Sequence, residues 1–208
     1  MLDESERHMR VSREKAAENR ERIVETAARM FREEGFDGVG VDAIMSAAGL
    51  THGGFYGHFE SKDDLAAEAV TRALRHSGEK QSHYTNLGDL VSGYLSGRHH
   101  ADRANGCAIA ALGGDIVRRG DGVRDALTAY VHGQLDRFSR LLRRGTAASR
   151  RRRAITTLAG MVGALTLARA VNDPTLSKEI LEAARDAFGG RRRRAGGHSC
   201  HTETVGRH

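Results

Sequence analysis

Five hydrogen-bond donors, Thr51, His52, Tyr56, His58 and Lys62, are crowded into one short stretch together with Gly53, Gly54 and Gly57. Hydroxyl, imidazole and ammonium groups of this kind suit phosphate oxygens and base edges. The glycines sharpen that reading. Each costs a helix about 1 kcal/mol against alanine, so a helix over His52–Phe59 makes sense if its backbone must come close to a partner. Small residues at a helix start let phosphates approach the free N–H groups. Phe55 and Phe59 then face inward as core.

The flanking residues supply the elements that must hold this stretch. Ile23, Ala27 and Phe31 recur at helical spacing beside Val24 and Ala28, with Glu18, Glu21, Glu25, Arg29 and Arg32 elsewhere, so one face is apolar. Gly35 is placed as a helix stop, with Phe36 folding back on the last turn. A second piece, Val41 to Ala48, carries Val41, Ile44, Met45 and Ala48 and ends at Gly49. Thr51 is positioned to cap the third piece, and Ser61 with Asp64 forms a capping-box-like start for a fourth. A supporting helix, a short turn and a second helix ready for the major groove form a helix-turn-helix layout.

The residues Gly35, Phe36, Ile44, Ala48, Gly49, Thr51, Gly53, Phe55, Tyr56, His58, Phe59, Ser61, Lys62 and Leu65 resemble the DNA-binding domain of the tetracycline-repressor (TetR) family. The match spans about a quarter of the chain without a gap. It implies that Tyr56, His58 and Lys62 contact phosphates while His52, Gly54 and Gly57 lie on the base-facing surface. Gly40 departs from the pattern, standing where the family usually has a Ser or Thr cap. Glycine still serves as an N-cap, but the hydroxyl is lost.

Composition bounds the rest. One proline, no tryptophan and abundant Ala, Leu, Arg and Glu in 208 residues point to an all-helical chain. No apolar run approaches the ~20 residues that span a bilayer, and the polar start does not read as a signal peptide. Two cysteines make no disulfide framework, so a reduced cytoplasmic setting is expected. Net charge is a poor guide: residues 1–76 hold eleven Lys and Arg against fifteen Asp and Glu, whereas 77–208 hold twenty-two against twelve. Eight of those cations lie in Arg150–Arg153 and Arg191–Arg194, and without them the chain would stand at −2. The case for nucleic acid rests on local placement, including Arg10, Arg13 and Lys15.

Beyond Leu65 the fourth helix runs to about Ser77, and Glu79–Asn86 reads as a polar turn. Further helical patterns cover about Leu87–Gly97, Asn105–Arg118, Asp121–Arg144, Ser149–Val171 and Thr175–Phe188. The predicted fold is all-α with about nine helices: a flexible arm (1–13), a three-helix helix-turn-helix domain (14–66), a ligand-binding and dimerisation domain (67–188) and a disordered basic tail (189–208). Helix faces suggest a small-molecule pocket lined by Tyr94, Leu112, Leu135 and Phe138. In the Ser149–Val171 pattern, Ala159, Gly160, Gly163 and Ala164 allow another helix to approach closely. This pairs it with the last helix either as a hairpin within one chain or, as the resemblance implies, in a four-helix dimer interface. Leu158, Val162, Leu165, Ile180, Leu181 and Ala184 are the expected contacts of that homodimer.

Gly106-Cys107, with Leu112, Asp115 and Ile116 following, is similar to a segment in family members that sense electrophiles through that cysteine, and the same pair occurs in members without that role. A thiol in a first helical turn meets a positive potential that favours thiolate. Arg150–Arg153 opens a helix against the macrodipole, so a loop-like start is an alternative there. His198, Cys200 and His201 could bind a metal, but a floppy tail is the preferred reading, and no metal or cofactor is expected. No Ser-His-acid, HExxH or phosphate-loop pattern is present, and the adjacent His99 and His100 point their rings apart, so an enzyme is not expected. The resemblance implies a homodimeric repressor, on a palindromic double-stranded DNA operator, released by a small-molecule inducer. Transcriptional activation and electrophile sensing through Cys107 are alternatives.

Overall fold

Gly35 and Gly49 set the geometry of the N-terminal region, because each adopts the left-handed backbone that ends a helix (φ 78° and 71°). The computed structural model describes residues 4–189, with side-chain surroundings from Arg13 onward. The N–H of Gly35 donates to the carbonyl of Phe31 (2.9 Å), and Phe36 packs on the Phe31 ring with centroids 5.1 Å apart. The N–H of Leu50 likewise closes on Met45 (2.9 Å). Helix α1 (Glu4–Glu34) and helix α2 (Val41–Ala47) are thereby closed at their C-terminal ends. Helix α1 starts at Glu4, within the segment 1–13 expected as an arm, because the intervening residues contain neither Gly nor Pro to stop it.

The third piece is a 3₁₀ helix, His52–Gly57, rather than an α-helix to Phe59. Three glycines in six residues make a longer α-helical ladder unfavourable. Thr51 occupies the N-cap position, but its side chain makes no capping bond, against expectation. Gly40 caps α2 without a side-chain bond, as its lack of a hydroxyl requires. Ser61 caps α3 (Lys62–Gln81) as expected, accepting the N–H of Asp64 at 3.1 Å.

Helix α3 outruns its expected end and includes Glu79–Gln81. The region Leu87–Ala101 divides into α4 (Leu87–Tyr94) and α5 (Gly97–Ala101). Ser96 caps α5 by accepting the N–H of His99 (3.2 Å). Then follow α6 (Ala108–Ile116), α7 (Asp121–Leu141), α8 (Ala147–Ala170) and α9 (Pro174–Phe188). The fold is all-α, with no strand among the described residues. The Arg150–Arg153 run is helical, not a loop. Thr146 caps α8, Arg150 donates to the carbonyl of Gly145 (2.8 Å) and Arg151 pairs with Asp136 (2.9 Å). The calls on Arg191–Arg194, His198, Cys200 and His201 fall outside the described residues.

Two apolar cores form. The first unites α1, α2, the 3₁₀ helix and α3 with Ala108, Leu112 and Ile116 of α6 and Val123 of α7. It runs through the boundary expected at residue 66, since Ala66, Ala69, Val70, Ala73 and Leu74 all belong to it. The reader is therefore continuous with the body through α3. The second core joins α4, the C-terminal half of α7, α8 and α9. Arg119, between α6 and α7, fastens that segment to the first-core region from outside: it pairs with Asp37 (2.8 Å) and Asp63 (2.9 Å) and lies 4.6 Å over the Phe36 ring.

Candidate nucleic-acid interface and ligand cavity

Phe55 and Phe59 are buried and stacked on each other (5.7 Å), and they anchor the 3₁₀ helix to the first core. Thr51, His52, Gly53, Gly54, Tyr56 and Gly57 are exposed, while His58 and Lys62 are half-buried beside them. Tyr56 is 70% exposed, an unusual position for a large ring, and packs edge-on against Phe55 at 5.3 Å. A Cβ placed on Gly53 or Gly57 would meet nothing within 4 Å, and neither residue has a positive φ. Nothing inside the chain requires glycine at these positions. None of the eight expected DNA-contacting residues is fully buried.

Two supporting residues escaped sequence reading. Asp42 on α2 holds the Nδ1 of His52 in an ion pair when the imidazole is protonated. Arg20 on α1 makes a two-pronged bond to Glu68 on α3, with one arm at 2.6 Å, and lies 4.3 Å over Phe59. Each is one charged residue among many on a polar helix face, and no spacing marks it.

A second feature is a cavity of about 460 Å³ between the end of α3, α4, α5 and the Asp102–Cys107 loop. That is within the usual range for small-molecule sites, about 300–1,000 Å³. Leu90, Tyr84 and Tyr94 give it an apolar wall, and Lys80 and Arg98 give it a cationic rim. The Tyr94 hydroxyl is buried without a hydrogen-bond partner among the described residues, and burial holds that phenol well above its usual range. Cys107 sits on the wall as the N-cap residue of α6, ahead of the first turn, and its N–H donates to the Nε2 of His99 (3.0 Å). His99 donates from Nδ1 to the Tyr94 carbonyl (2.6 Å). His100 turns the other way, to the Ala168 carbonyl (3.1 Å). Of the expected ligand-lining residues, Tyr94 and Cys107 reach this cavity. Leu112 instead packs in the first core, and Leu135 and Phe138 in the second. A periodic apolar stripe does not distinguish packed core from pocket wall.

The expected dimer residues also divide. Leu165, Leu181 and Ala184 are buried within the chain, in the core that α8 and α9 share. Leu158, Val162 and Ile180 are half-buried at its edge. Gly160 receives an intramolecular neighbour, Phe188, whose ring would lie 2.1 Å from an added Cβ. Facing outward on α8 are Ile155 (48% exposed), Ala159, Thr166, Leu167 (58%) and Ala170, with Leu176, Ala183 and Ala187 on α9.

A short, outward-facing element held between two helices on an all-α body is a helix-turn-helix arrangement. Residues 23–69 match the family of bacterial regulatory proteins termed the tetR family. The chain is 33% identical over 75 residues to the HTH-type transcriptional regulator AcrR of Shigella flexneri, covering 36% of this chain and 35% of that one. It is 39% identical over 62 residues to an HTH-type transcriptional regulator of Staphylococcus aureus strain USA300 (30% and 34% covered). These matches span about a third of each curated relative's length. Over most of the fold, the chain resembles a TetR transcriptional regulator from Chloroflexus aurantiacus, with TM-score 0.67, 26% identity and 85% and 94% of the chains covered. Residues 23–69 thus carry the tetR-family pattern, and the fold around them is similar to that of a TetR transcriptional regulator.

Proposed function

We propose that this chain is a homodimeric, ligand-responsive repressor in the cytoplasm, binding a palindromic operator. The observation that carries the DNA-binding part is the surface of exposed glycines and donors over Thr51–Lys62, anchored from behind by Phe55 and Phe59. Two copies would enter successive major grooves about 34–36 Å apart. The apolar outward strip on α8 and α9 supports pairing of two chains, because such strips on a surface commonly mark an interface. The inducer would occupy the 460 Å³ cavity and offer a hydrogen-bond acceptor to the Tyr94 hydroxyl. The same cavity wall includes the Asp102–Cys107 loop, whose Ala104 carbonyl accepts a bond from Arg32 on α1. Ligand contact there has a short route to the reader.

Binding of the full chain to DNA from its own upstream region, followed by gel shift with and without candidate metabolites, tests the reading. Specific retardation reversed by a small molecule is expected; a chain indifferent to that DNA at low salt contradicts it. A second reading is favoured by the position of Cys107 on the cavity wall: release triggered by electrophiles at its thiol. If Cys107→Ser leaves release by quinones or aldehydes unchanged, this version is wrong.

A further inference from the structure

A smaller recess of about 210 Å³ lies where α1, α6 and α8 converge, away from the cavity described above. Its walls include Arg32, Arg103 and Arg169, with Glu33 the one carboxylate among its lining residues. No described acidic side chain forms an ion pair with any of the three arginines. Arg32 is 5% exposed and spends its Nε on the Ala104 carbonyl. Arg169 donates to the carbonyls of His100 (3.1 Å), His99 (2.6 Å) and Asp102 (3.4 Å), yet its second terminal nitrogen is buried with no partner. Gly106 permits this crowding, since an added Cβ there would lie 2.9 Å from the Arg169 guanidinium.

Buried cations are ordinarily paired, because taking an unpaired charge from water is costly. Burial holds the Arg32 and Arg169 guanidinium groups below their usual range, the direction expected for cations short of a counter-charge. We propose that this recess binds a small oxyanion, a phosphate or carboxylate group, held by Arg32, Arg103 and Arg169. Guanidinium forks suit both anions through paired N–H bonds. The recess has room for such a group, being roughly seven times the ~30 Å³ share of one water. The bound oxyanion would tie α1, which supports the reader, to α8 across the 99–104 turn.

The test uses the full chain without DNA, so it does not depend on operator binding. Thermal unfolding is followed against inorganic phosphate, and separately against succinate, with chloride holding ionic strength constant. A rise in melting temperature saturating with one anion is expected, the anion that produces it identifying the group bound. Arg103→Gln touches no internal bond and should weaken the apparent affinity about tenfold. Glu33→Gln removes the opposing carboxylate and should tighten it several-fold. Lys62→Ala, in the reader, should leave it unchanged. No rise beyond chloride, or an equal rise in Arg103→Gln and the unmodified chain, overturns the proposal.

Discussion

The glycines at 53 and 57 separate folding from recognition. Neither is held by backbone strain or by a neighbour, so alanine fits both places within the chain. Gly53→Ala and Gly57→Ala should leave the melting temperature unchanged or slightly higher, because alanine loses less freedom on folding. The same variants should bind DNA at least about tenfold more weakly, the equivalent of 1.4 kcal/mol, measured by fluorescence anisotropy. His52→Ala should alter sequence preference, whereas Lys62→Ala should weaken binding to all sequences and reduce the salt slope by about one. Footprints of the two variants check these roles. At His99, burial lowers the imidazole's proton affinity, and Arg169 and Lys80 lower it further, against the Tyr94 carbonyl and Asp102. The neutral ring is also what its bonds require, since Nε2 must accept from Cys107. The folded state then binds fewer protons than the unfolded state, so this contribution is full above pH ~6.5 and is lost as pH falls below it. Melting curves of His99→Gln should show a shallower acid-side decline than the unmodified chain. The glycine stops, the Ser61 cap and the outward donors were legible in the sequence because each is a local rule. The partners Asp42 and Glu68 were not, because they come from other helices.

Helices that are short or shared were the harder part to read. Helix α5, five residues long, shows no apolar period and fell between the patterns ending near Gly97 and starting near Asn105. Leu112, Leu135 and Phe138 lie on true apolar stripes, yet those stripes pack against neighbouring helices instead of opening to a cavity. Which stripe lines a void depends on how helices cross, and no single helix encodes that. The same applies to α8, where small residues do allow close approach, but Gly160 admits Phe188 of the same chain. Arg119 belongs to this level, since it joins the start of α7 to both Asp37 and Asp63. Arg119→Ala should cost about 1 kcal/mol, the sum expected of exposed ion pairs and one cation–π contact. A lower urea midpoint with an unchanged slope would be the signature.

The whole molecule works, on this account, only as a pair. One reader surface contacts one half-site, and a two-fold operator demands a second, symmetric copy. Ile155, Leu167 and Leu176 are the large apolar side chains left outward on α8 and α9. A charge there should block pairing without disturbing the core, so Ile155→Glu should run as a single chain in light scattering and lose operator affinity steeply. The most direct measurement is a footprint of the full chain on DNA from its own upstream region at low salt, with stoichiometry determined on the same fragment. The prediction is two protected half-sites about one helical turn apart, occupied by two chains and lost together in Gly53→Ala. Absence of protection, or protection by a single chain that survives Gly53→Ala, would contradict it.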